Sequence, residues 1–278
     1  MKINGLTQII PHIGFPTHTF KSPMIYNPYF EEAGINALVV PFSSQAPVYP
    51  DFLKSVFTND NVIGALITMP HKVTTIGLVD RLTPTAQIAG SANAVRRGAD
   101  GKLEGDMFDG EGFVRGVRRK GFAPEGKSAL VVGSGGVGSA IAASLAAAGV
   151  AHLALFDVNA AAADALAGRI KQHYPQIEVQ TGSNDPAGFD LVVNATPLGM
   201  KEGDPMPMDV SRIEPTAFVG EVVLKDETTA FLAAAQARGC QVQVGTDMLF
   251  EQIPVYLEYF GLPTTTAEHL RAVARIEY

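Results

Sequence analysis

The sequence predicts an α/β fold with two domains. Apolar runs rich in β-branched residues alternate with segments of helical pattern, which is typical of parallel α/β layers. Near the middle of the chain, a short apolar strand leads directly into a glycine-rich turn and an alanine-rich helix. After Asp247 the pattern changes to two successive helices. We therefore expect an N-terminal α/β domain over residues 1–108, completed by C-terminal helices over 248–278, and a doubly wound domain over 109–247.

The individual elements follow from local pattern. In the first domain the predicted strands cover 37–41 and 62–69, the predicted helices cover about 23–33 and 50–59, and Asp100-Gly101 predicts a hairpin turn. A helix to about residue 120 and a loop at 124–126 lead into the second domain. Its predicted strands cover 128–132, 152–156, 191–194, 217–223 and 241–244, with a helix at 140–148. Two final helices are expected at about 248–260 and 266–276.

Composition excludes several classes of protein. The chain has 278 residues and 46% hydrophobic content, enough for substantial cores, but it has no unbroken apolar tract of membrane-spanning length. Its net charge is −7, and one small basic cluster, Arg115, Arg118, Arg119 and Lys120, is interpreted as the solvated face of a helix. We expect neither nucleic acid nor a membrane as partner. The single cysteine, Cys240, and the lack of a secretory signal predict a cytoplasmic protein.

The glycine-rich turn predicts a dinucleotide site. Gly133 permits a tight turn, Gly135 lets the backbone approach a pyrophosphate, and Gly138 lets the following helix pack against the strand. Gly136 and Val137 lie between these glycines and are assigned to the same cofactor site. The N-terminus of the following helix supplies unpaired N–H groups for the phosphates. A structural glycine turn in another α/β protein is the alternative.

A second strand follows this helix and ends at Asp157, close to the spacing expected for an acid that binds the adenine ribose. A carboxylate accepts hydrogen bonds from the ribose hydroxyls and repels a 2′-phosphate. With Asn159 beside it, Asp157 favours NAD over NADP as the cofactor.

Six segments, in order, resemble the shikimate and quinate dehydrogenase family. They are Gly14-Phe-Pro-Thr-His-Thr-Phe-Lys-Ser22-Pro-Met-Ile-Tyr-Asn27, Gly64-Ala-Leu-Ile-Thr68-Met-Pro-His-Lys72, Gly90-Ser-Ala-Asn93-Ala-Val95, Gly105-Asp-Met-Phe-Asp109-Gly-Glu-Gly-Phe113, Asn194-Ala-Thr-Pro-Leu-Gly-Met200 and Gly245-Thr-Asp-Met-Leu-Phe-Glu-Gln252. The resemblance spans nearly the whole chain. It implies a substrate domain, a Rossmann-type dinucleotide-binding domain and hydride transfer between a secondary alcohol and a nicotinamide cofactor.

The resemblance also implies roles for two charged residues. Oxidation of a secondary alcohol needs a group that accepts the hydroxyl proton while hydride leaves the carbon. Lys72 is the implied proton-transferring group, and Asp109 is implied to orient it and the substrate hydroxyl. As alternatives, Lys72 is a surface lysine after a strand and Asp109 is a helix N-cap.

The remaining implied site residues divide between substrate and cofactor. The substrate set comprises Ser22, Phe20, Leu66, Thr68, Asn93 and Gln252. The cofactor set comprises Gly133, Gly135, Gly136, Val137, Gly138, Asp157, Asn159, Asn194, Thr196, Pro197, Met200, Gly245 and Met248. The polar members of the substrate set have an alternative role in satisfying a turn or a helix end. His18 and His71 lie beside motif positions, but two isolated histidines do not make a metal site, so we expect no metal.

The chain departs from the family pattern at several pocket positions. Phe20 stands where the family has the first serine of Ser-x-Ser, Leu66 replaces an asparagine, and Met107-Phe108 replaces Asn-Thr. Unpaired polar groups of a substrate cost about 1–3 kcal/mol each to bury, which predicts that shikimate itself binds poorly. Lys21 or Lys225 could restore carboxylate binding. In the alternative interpretation, Phe20, Leu66 and Phe108 only complete the core.

The cofactor segment departs as well, because the Asn-Arg-Thr of NADP-using members is Asp157-Val158-Asn159 here. The hypothesis is an NAD-dependent enzyme, monomer or homodimer, that acts on quinate or another hydroxylated cyclic carboxylate. Two alternatives remain open: a non-catalytic NAD-binding sensor, and an enzyme similar to methylenetetrahydrofolate dehydrogenase.

Overall fold

A computed structural model describes residues 3–224 and 228–277. Lys225, one of the two lysines considered for carboxylate binding, lies outside these residues. The chain forms two compact units: the first unit contains the residues up to Phe108 and those from Ile253 onward, and the second unit is Asp109–Gln252.

The strands are β1 (Gln8–Gly14), β2 (Ala37–Ser43), β3 (Ala65–Ile67), β4 (Arg81–Leu82), β5 (Ala94–Arg97), β6 (Leu103–Asp106), β7 (Ser128–Val132), β8 (His152–Phe156), β9 (Glu178–Thr181), β10 (Leu191–Asn194), β11 (Phe218–Glu221) and β12 (Gln241–Gln243). The helices are α1 (Pro23–Glu32), α2 (Tyr49–Val56), α3 (Lys72–Thr75), α4 (Pro84–Ala89), α5 (Asp109–Arg119), α6 (Gly136–Ala147), α7 (Ala160–His173), α8 (Ala230–Ala237), α9 (Gly245–Tyr259) and α10 (Ala267–Val273), with a 3₁₀ turn at Val210–Arg212. Within the described residues, none of these helices has the length and apolar character needed to span a bilayer.

The first unit is built on a mixed sheet of order β2-β1-β3-β5-β6-β4. Its central strand β1 was missing from the sequence prediction, because Pro11 interrupts the apolar run and proline has no N–H for a strand ladder. The sheet accommodates Pro11 at a gap: Ile9 bridges Val62, and pairing with β3 resumes only at His12 and Leu66. The predicted turn at Asp100-Gly101 connects the antiparallel strands β5 and β6.

One face of this sheet carries an apolar core. Ile13 of β1 and Ile67 of β3 pack there with Tyr49 and Leu53 of α2. Side chains alternate between the two faces along a strand, so His12 and Gly14 lie on the opposite face, as do Leu66 and Thr68. The alternation therefore places one set of side chains in this core. The other set, which includes Gly14, Leu66 and Thr68 of the motifs, lies on the opposite face.

The second unit is a Rossmann-type doubly wound sheet. All its strands are parallel, in the order β12-β11-β10-β7-β8-β9. The chain starts at β7, moves outward to β9 and then returns to β10 on the other side of β7. This reversal creates a switch point between β7 and β10, where ligands bind beyond the carboxyl ends of the strands.

The C-terminal helices differ from the predicted boundary at 247/248. Helix α9 already begins at Gly245, and its first two turns belong to the second unit because Met248 and Gln252 pack directly on Gly112 of α5. The later turns belong to the first unit, where the Tyr256 hydroxyl donates to the carbonyl of Asn93. The division at 252/253 therefore lies within one helix, where the sequence pattern has no break.

Candidate functional site

The loop after β7 can be formed only by glycine at two positions. Gly133 has a φ of 107°, and its N–H donates to the Phe156 carbonyl at 2.7 Å. A side chain there would also lie 2.7 Å from the carbonyl oxygen of Ala195. A Cβ at Gly138 would lie 1.9 Å from the carbonyl oxygen of Gly133. Backbone therefore packs on backbone here, and helix α6 starts directly against the loop.

The outer part of the same loop is open. Gly135 and Gly136 are exposed, and a Cβ at either position would meet nothing within 4 Å. Gly135 is the N-cap of α6 and supplies no capping side chain, while Val137 is half-buried in the first turn. The N-terminal N–H groups of a helix attract anions. This open glycine cradle fits the diphosphate of a dinucleotide.

Asp157 connects the end of β8 to the glycine loop. One carboxylate oxygen accepts from the Ser134 N–H at 2.7 Å, and the other accepts from the Asn159 N–H at 2.8 Å. A carboxylate has about four lone-pair sites, so each oxygen can accept a further hydrogen bond. The next side chain, Val158, is 97% exposed. A negative charge and an uncharged neighbour therefore lie at the end of β8.

Asn194 ends β10 and shapes the loop that follows. Its Nδ2 donates to the Leu198 carbonyl at 3.0 Å, and its Oδ1 accepts from both the N–H and the hydroxyl of Thr196. Asn194 is fully buried, whereas Pro197 and Met200 are exposed on the loop. Asn194 thus fixes the conformation of the loop through these hydrogen bonds. Pro197 and Met200 form the exposed surface of the loop.

Gly245 and Met248, also assigned to the cofactor, are both buried. A Cβ at Gly245 would lie 2.2 Å from the Val223 carbonyl oxygen, and Met248 is 7% exposed. Gly245 therefore allows α9 to start against the chain after β11.

In the first unit, Lys72 begins the short helix α3 and is half-buried. Its carbonyl accepts from the Ala92 N–H at 2.9 Å. The preceding His71 is buried, stacks on Tyr49 at 3.9 Å between ring centroids, and forms a 2.8 Å hydrogen bond through Nε2 to the Ser44 carbonyl. These contacts fix the backbone that carries Lys72.

A further hydrogen bond completes this support. The Tyr49 hydroxyl lies 2.6 Å from the Thr75 hydroxyl, which donates to the His71 carbonyl. Burial raises the pKa of Tyr49 to about 12, so the phenol stays protonated and available as a donor. His71, which the motif brought to attention, therefore has a structural role.

Phe20, Thr68 and Gly14 come together on the face of the first sheet that is opposite the core. A Cβ at Gly14 would lie 2.5 Å from Cγ2 of Thr68 and 2.8 Å from Cζ of Phe20. Leu66 lies on the same face, at 3% exposure, and pairs with His12 in the adjacent strand. We name His12, Gly14, Phe20, Leu66 and Thr68 the substrate wall.

His12 is the member of this wall that the sequence interpretation missed. Its ring stacks on Phe20 with 4.1 Å between centroids, and its Nδ1 is buried without a hydrogen-bond partner among the described residues. Burial, with a smaller contribution from the positive charge of Lys72, lowers the pKa of His12 to about 3. Once residues 8–14 are recognised as a strand, the alternation of side chains places His12 on the same face as Gly14.

Asn93 and Phe108 make contacts within the first unit that restrict their roles. Oδ1 of Asn93 accepts from the Phe108 N–H at 2.9 Å, and Asn93 is 1% exposed. The Phe108 ring packs edge-on against Tyr256 and Tyr259. This aromatic packing agrees with the alternative in which Phe108 completes the core.

Three predicted residues occupy helix positions. Ser22 is the half-buried N-cap of α1 and makes no side-chain capping bond. Asp109 starts α5 in the second unit at 5% exposure. Gln252 lies on α9 with Cβ against Gly112, and its Oε1 is buried without a partner among the described residues. The side chains of Ser22 and Gln252 therefore retain polar atoms for a ligand.

Comparisons with known proteins agree with this arrangement. Residues 13–95 match the family model described as the shikimate dehydrogenase substrate binding domain. A curated relative from Rubrobacter xylanophilus, named shikimate dehydrogenase (NADP(+)), is 35% identical over 258 residues, which cover 90% of this chain and 89% of the relative.

Two solved structures are similar over nearly the whole chain. Shikimate 5-dehydrogenase from Listeria monocytogenes, in complex with shikimate and NAD, has a TM-score of 0.91 at 26% identity and covers 98% of both chains. Quinate dehydrogenase from Corynebacterium glutamicum, in complex with NAD, has a TM-score of 0.85 at 27% identity, with coverage of 96% of this chain and 98% of the other. At the identity and coverage of the Rubrobacter relative, the chain belongs to the shikimate dehydrogenase family of oxidoreductases.

Proposed function

We propose that the chain is an NAD-dependent oxidoreductase that transfers hydride between NAD and a secondary alcohol of a cyclic hydroxy acid. The proposed substrate is similar to quinate or shikimate but differs from shikimate itself. The observation that carries the proposal is a complete glycine cradle in the second unit. It is combined with Lys72 and a substrate wall in the first unit, and this wall is more apolar than the family motif.

The cofactor preference rests on the end of β8. An NADP phosphate needs a cation, and Val158 offers an exposed aliphatic side chain where NADP-using members have arginine. The neighbouring Asp157 carboxylate repels a phosphate and suits ribose hydroxyls. The Rubrobacter relative is named for NADP, so NAD preference is proposed as a property of this chain.

The substrate preference rests on the wall. Phe20 and Leu66 replace polar residues of the family motif, so a substrate oxygen placed against them would lose its hydrogen bonds to water without compensation. Thr68, Ser22, Asn93 and Gln252 are proposed to contact the remaining hydroxyls. This combination favours a ring with one apolar edge.

The proposed chemistry assigns separate roles to two charged side chains. Bound NAD supplies the hydride acceptor. As the family resemblance implies, Lys72 exchanges the hydroxyl proton of the substrate through its Nζ, and the buried Asp109 has the orienting role. The packed His71 and Tyr49 keep the backbone of Lys72 fixed, which limits the positions that Nζ can reach.

The test measures NADH formation by absorbance with quinate, shikimate and further cyclic hydroxy acids. Wild type is compared with Lys72→Ala and with Lys54→Ala, a matched control at an exposed lysine of α2. Removing a general acid–base group costs about 10²–10⁴ in kcat. We expect that loss for Lys72→Ala and near-normal turnover for Lys54→Ala.

Different results identify the alternatives. Binding of NAD without turnover of any acid would favour the NAD-binding sensor. Turnover by Lys72→Ala equal to wild type would remove Lys72 from the mechanism. Tighter binding of NADP than of NAD, measured by calorimetry, would overturn the cofactor preference.

A further inference from the structure

Three observations single out His12. It is 8% exposed, it lies on the face of β1 opposite the apolar cluster that contains Ile13 and Ile67, and it stacks on the phenylalanine that replaces a serine of the family motif. Buried polar atoms are usually hydrogen-bonded, yet Nδ1 of His12 has no partner among the described residues. A hydrogen bond of Nδ1 within the fold therefore does not explain why a polar ring occupies this position.

The environment of the ring determines which nitrogen can meet a ligand. Nδ1 is sealed from solvent, so Nε2 is the ring nitrogen that remains to meet a ligand. Burial and the positive charge of Lys72 keep the imidazole neutral at physiological pH. A neutral imidazole carries one N–H, and an orphaned buried N–H is rarer than an unpaired acceptor. The proton is therefore assigned to Nε2.

We infer that His12 is a substrate-specificity residue, whose Nε2–H donates a hydrogen bond to an oxygen of the substrate. This inference rests on the proposed function for its ligand class, a cyclic hydroxy acid. Phe20 lacks the hydroxyl donor of the serine in the family motif. The His12 ring, whose centroid lies 4.1 Å from that of Phe20, supplies a donor in its place. The wall therefore selects a ring whose carboxylate or hydroxyl oxygen reaches His12 while an apolar edge lies against Phe20.

Charge at the wall supports an oxygen as the partner. The positive charge of Lys72 contributes to lowering the pKa of the His12 ring, so it acts electrostatically at this wall. A substrate carboxylate in this region gains attraction from Lys72 as well as a hydrogen bond from His12. A hydrogen bond to a charged group contributes more than one between neutral groups.

The experiment replaces His12 by phenylalanine, which retains an aromatic ring against Phe20 and removes the donor. The matched control is His152→Phe in the second unit, because His152 also stacks on a phenylalanine, Phe189, and also has a buried ring nitrogen without a partner. Steady-state kinetics with quinate and shikimate give KM and kcat separately. Thermal-shift and calorimetric titrations with the same two acids, in the absence of NAD, measure binding without turnover.

We expect His12→Phe to raise KM for the preferred acid about tenfold to hundredfold with little change in kcat, since the lost bond is made in both ground and transition states. His152→Phe should leave both constants unchanged. Equal KM values for wild type and His12→Phe, with turnover intact, would overturn the inference and leave the proposed function standing.

The binding titrations separate the remaining outcomes. If no acid is turned over but one binds more weakly to His12→Phe than to wild type, the inference stands and the proposed catalysis fails. If wild type neither turns over nor binds either acid, both are overturned. A melting temperature of His12→Phe equal to that of His152→Phe would show that weaker binding does not come from general loss of structure.

Discussion

The glycines of the cofactor loop and of the substrate wall make room for different kinds of neighbour. In the second unit, a Cβ at Gly138 would lie 1.9 Å from the backbone carbonyl of Gly133. In the first unit, the atom nearest to a Cβ at Gly14 is Cγ2 of the Thr68 side chain, at 2.5 Å. The cofactor loop is thus a contact between backbones, whereas the substrate wall is largely a contact between side chains.

This difference explains why the glycines of the loop match the family motif while Phe20 and Leu66 of the wall do not. A backbone contact depends on the absence of side chains, so few sequences can form it and the glycines recur as a motif. A wall of side chains can change its chemistry by single substitutions without changing the path of the chain. Phe20 is such a change from the family motif, and His12 stacks on it. Under the proposed function, these two side chains affect which substrate is favoured.

The largest expected effect comes from Gly138→Ala. The added Cβ meets a backbone oxygen that cannot rotate away, so we expect a loss on the order of 3 kcal/mol or more in the free energy of unfolding. Chemical denaturation monitored by circular dichroism measures it. Gly136→Ala is the control, because its Cβ enters open space and alanine favours a helix; its stability should match or slightly exceed wild type. Equal stability of the two variants would contradict the backbone argument.

The second prediction concerns the pH dependence of stability. The His12 imidazole accepts a proton near pH 6.5 in the unfolded chain, but only near pH 3 in the folded protein. Between these values the unfolded state binds more protons, so stability rises with pH through this window and is lost as pH falls. Relative to His12→Phe, wild type should lose up to about 1.4 kcal/mol per pH unit between pH 6 and 4.

Urea denaturation of both proteins at several pH values measures this difference. Parallel curves for wild type and His12→Phe would show that His12 is protonated as easily in the folded protein as in the unfolded chain.

The third prediction sharpens the contrast between side-chain and backbone crowding. Gly14→Ala should cost about 1–3 kcal/mol, because its Cβ overlaps Cγ2 of Thr68 together with Phe20 and the Met69 carbonyl. Thr68→Ser removes Cγ2 and should restore at least about 0.5 kcal/mol in the double variant. Denaturation of the four proteins in this cycle gives the coupling energy. Strict additivity would mean that the crowding comes from the Met69 backbone.

The smallest expected effect is on cofactor choice. Val158→Arg places a cation on a side chain that is 97% exposed, so it should not disturb folding. An exposed ion pair contributes about 0.2–1 kcal/mol, which corresponds to an increase in NADP affinity of up to about fivefold. Fluorescence titration at low and high salt measures it, with Val158→Gln as the uncharged control. A gain that persists at high salt would point to a contact other than the charge.

Structure also changes the interpretation of the basic cluster. The sequence predicts a solvated helix face at Arg115, Arg118, Arg119 and Lys120, but Arg119 and Lys120 pair with acidic residues of α9. Lys120 lies 2.7 Å from Asp247, whose side chain is 10% exposed, and Arg119 pairs with Glu251. These acids are far from the cluster in sequence, so local pattern could not reveal the pairing.

The sequence by itself determined the parts of this protein that depend on local chain geometry. The alternating pattern predicted the α/β class, and Gly133 and Gly138 marked a turn that only glycine can form. Asp157 was identifiable because it follows a strand at a spacing set by the preceding helix. The family motifs located Lys72 and Asp109 in the chain.

Tertiary structure decided the features that depend on packing between distant segments. It placed His12 in a central strand despite Pro11, stacked its ring on Phe20, and assigned Asn194 to holding its own loop. It also divided α9 at 252/253 according to the packing of its successive turns. Local pattern encodes backbone preference and hydrophobic period, whereas the contacts of a buried polar side chain depend on which strands become neighbours.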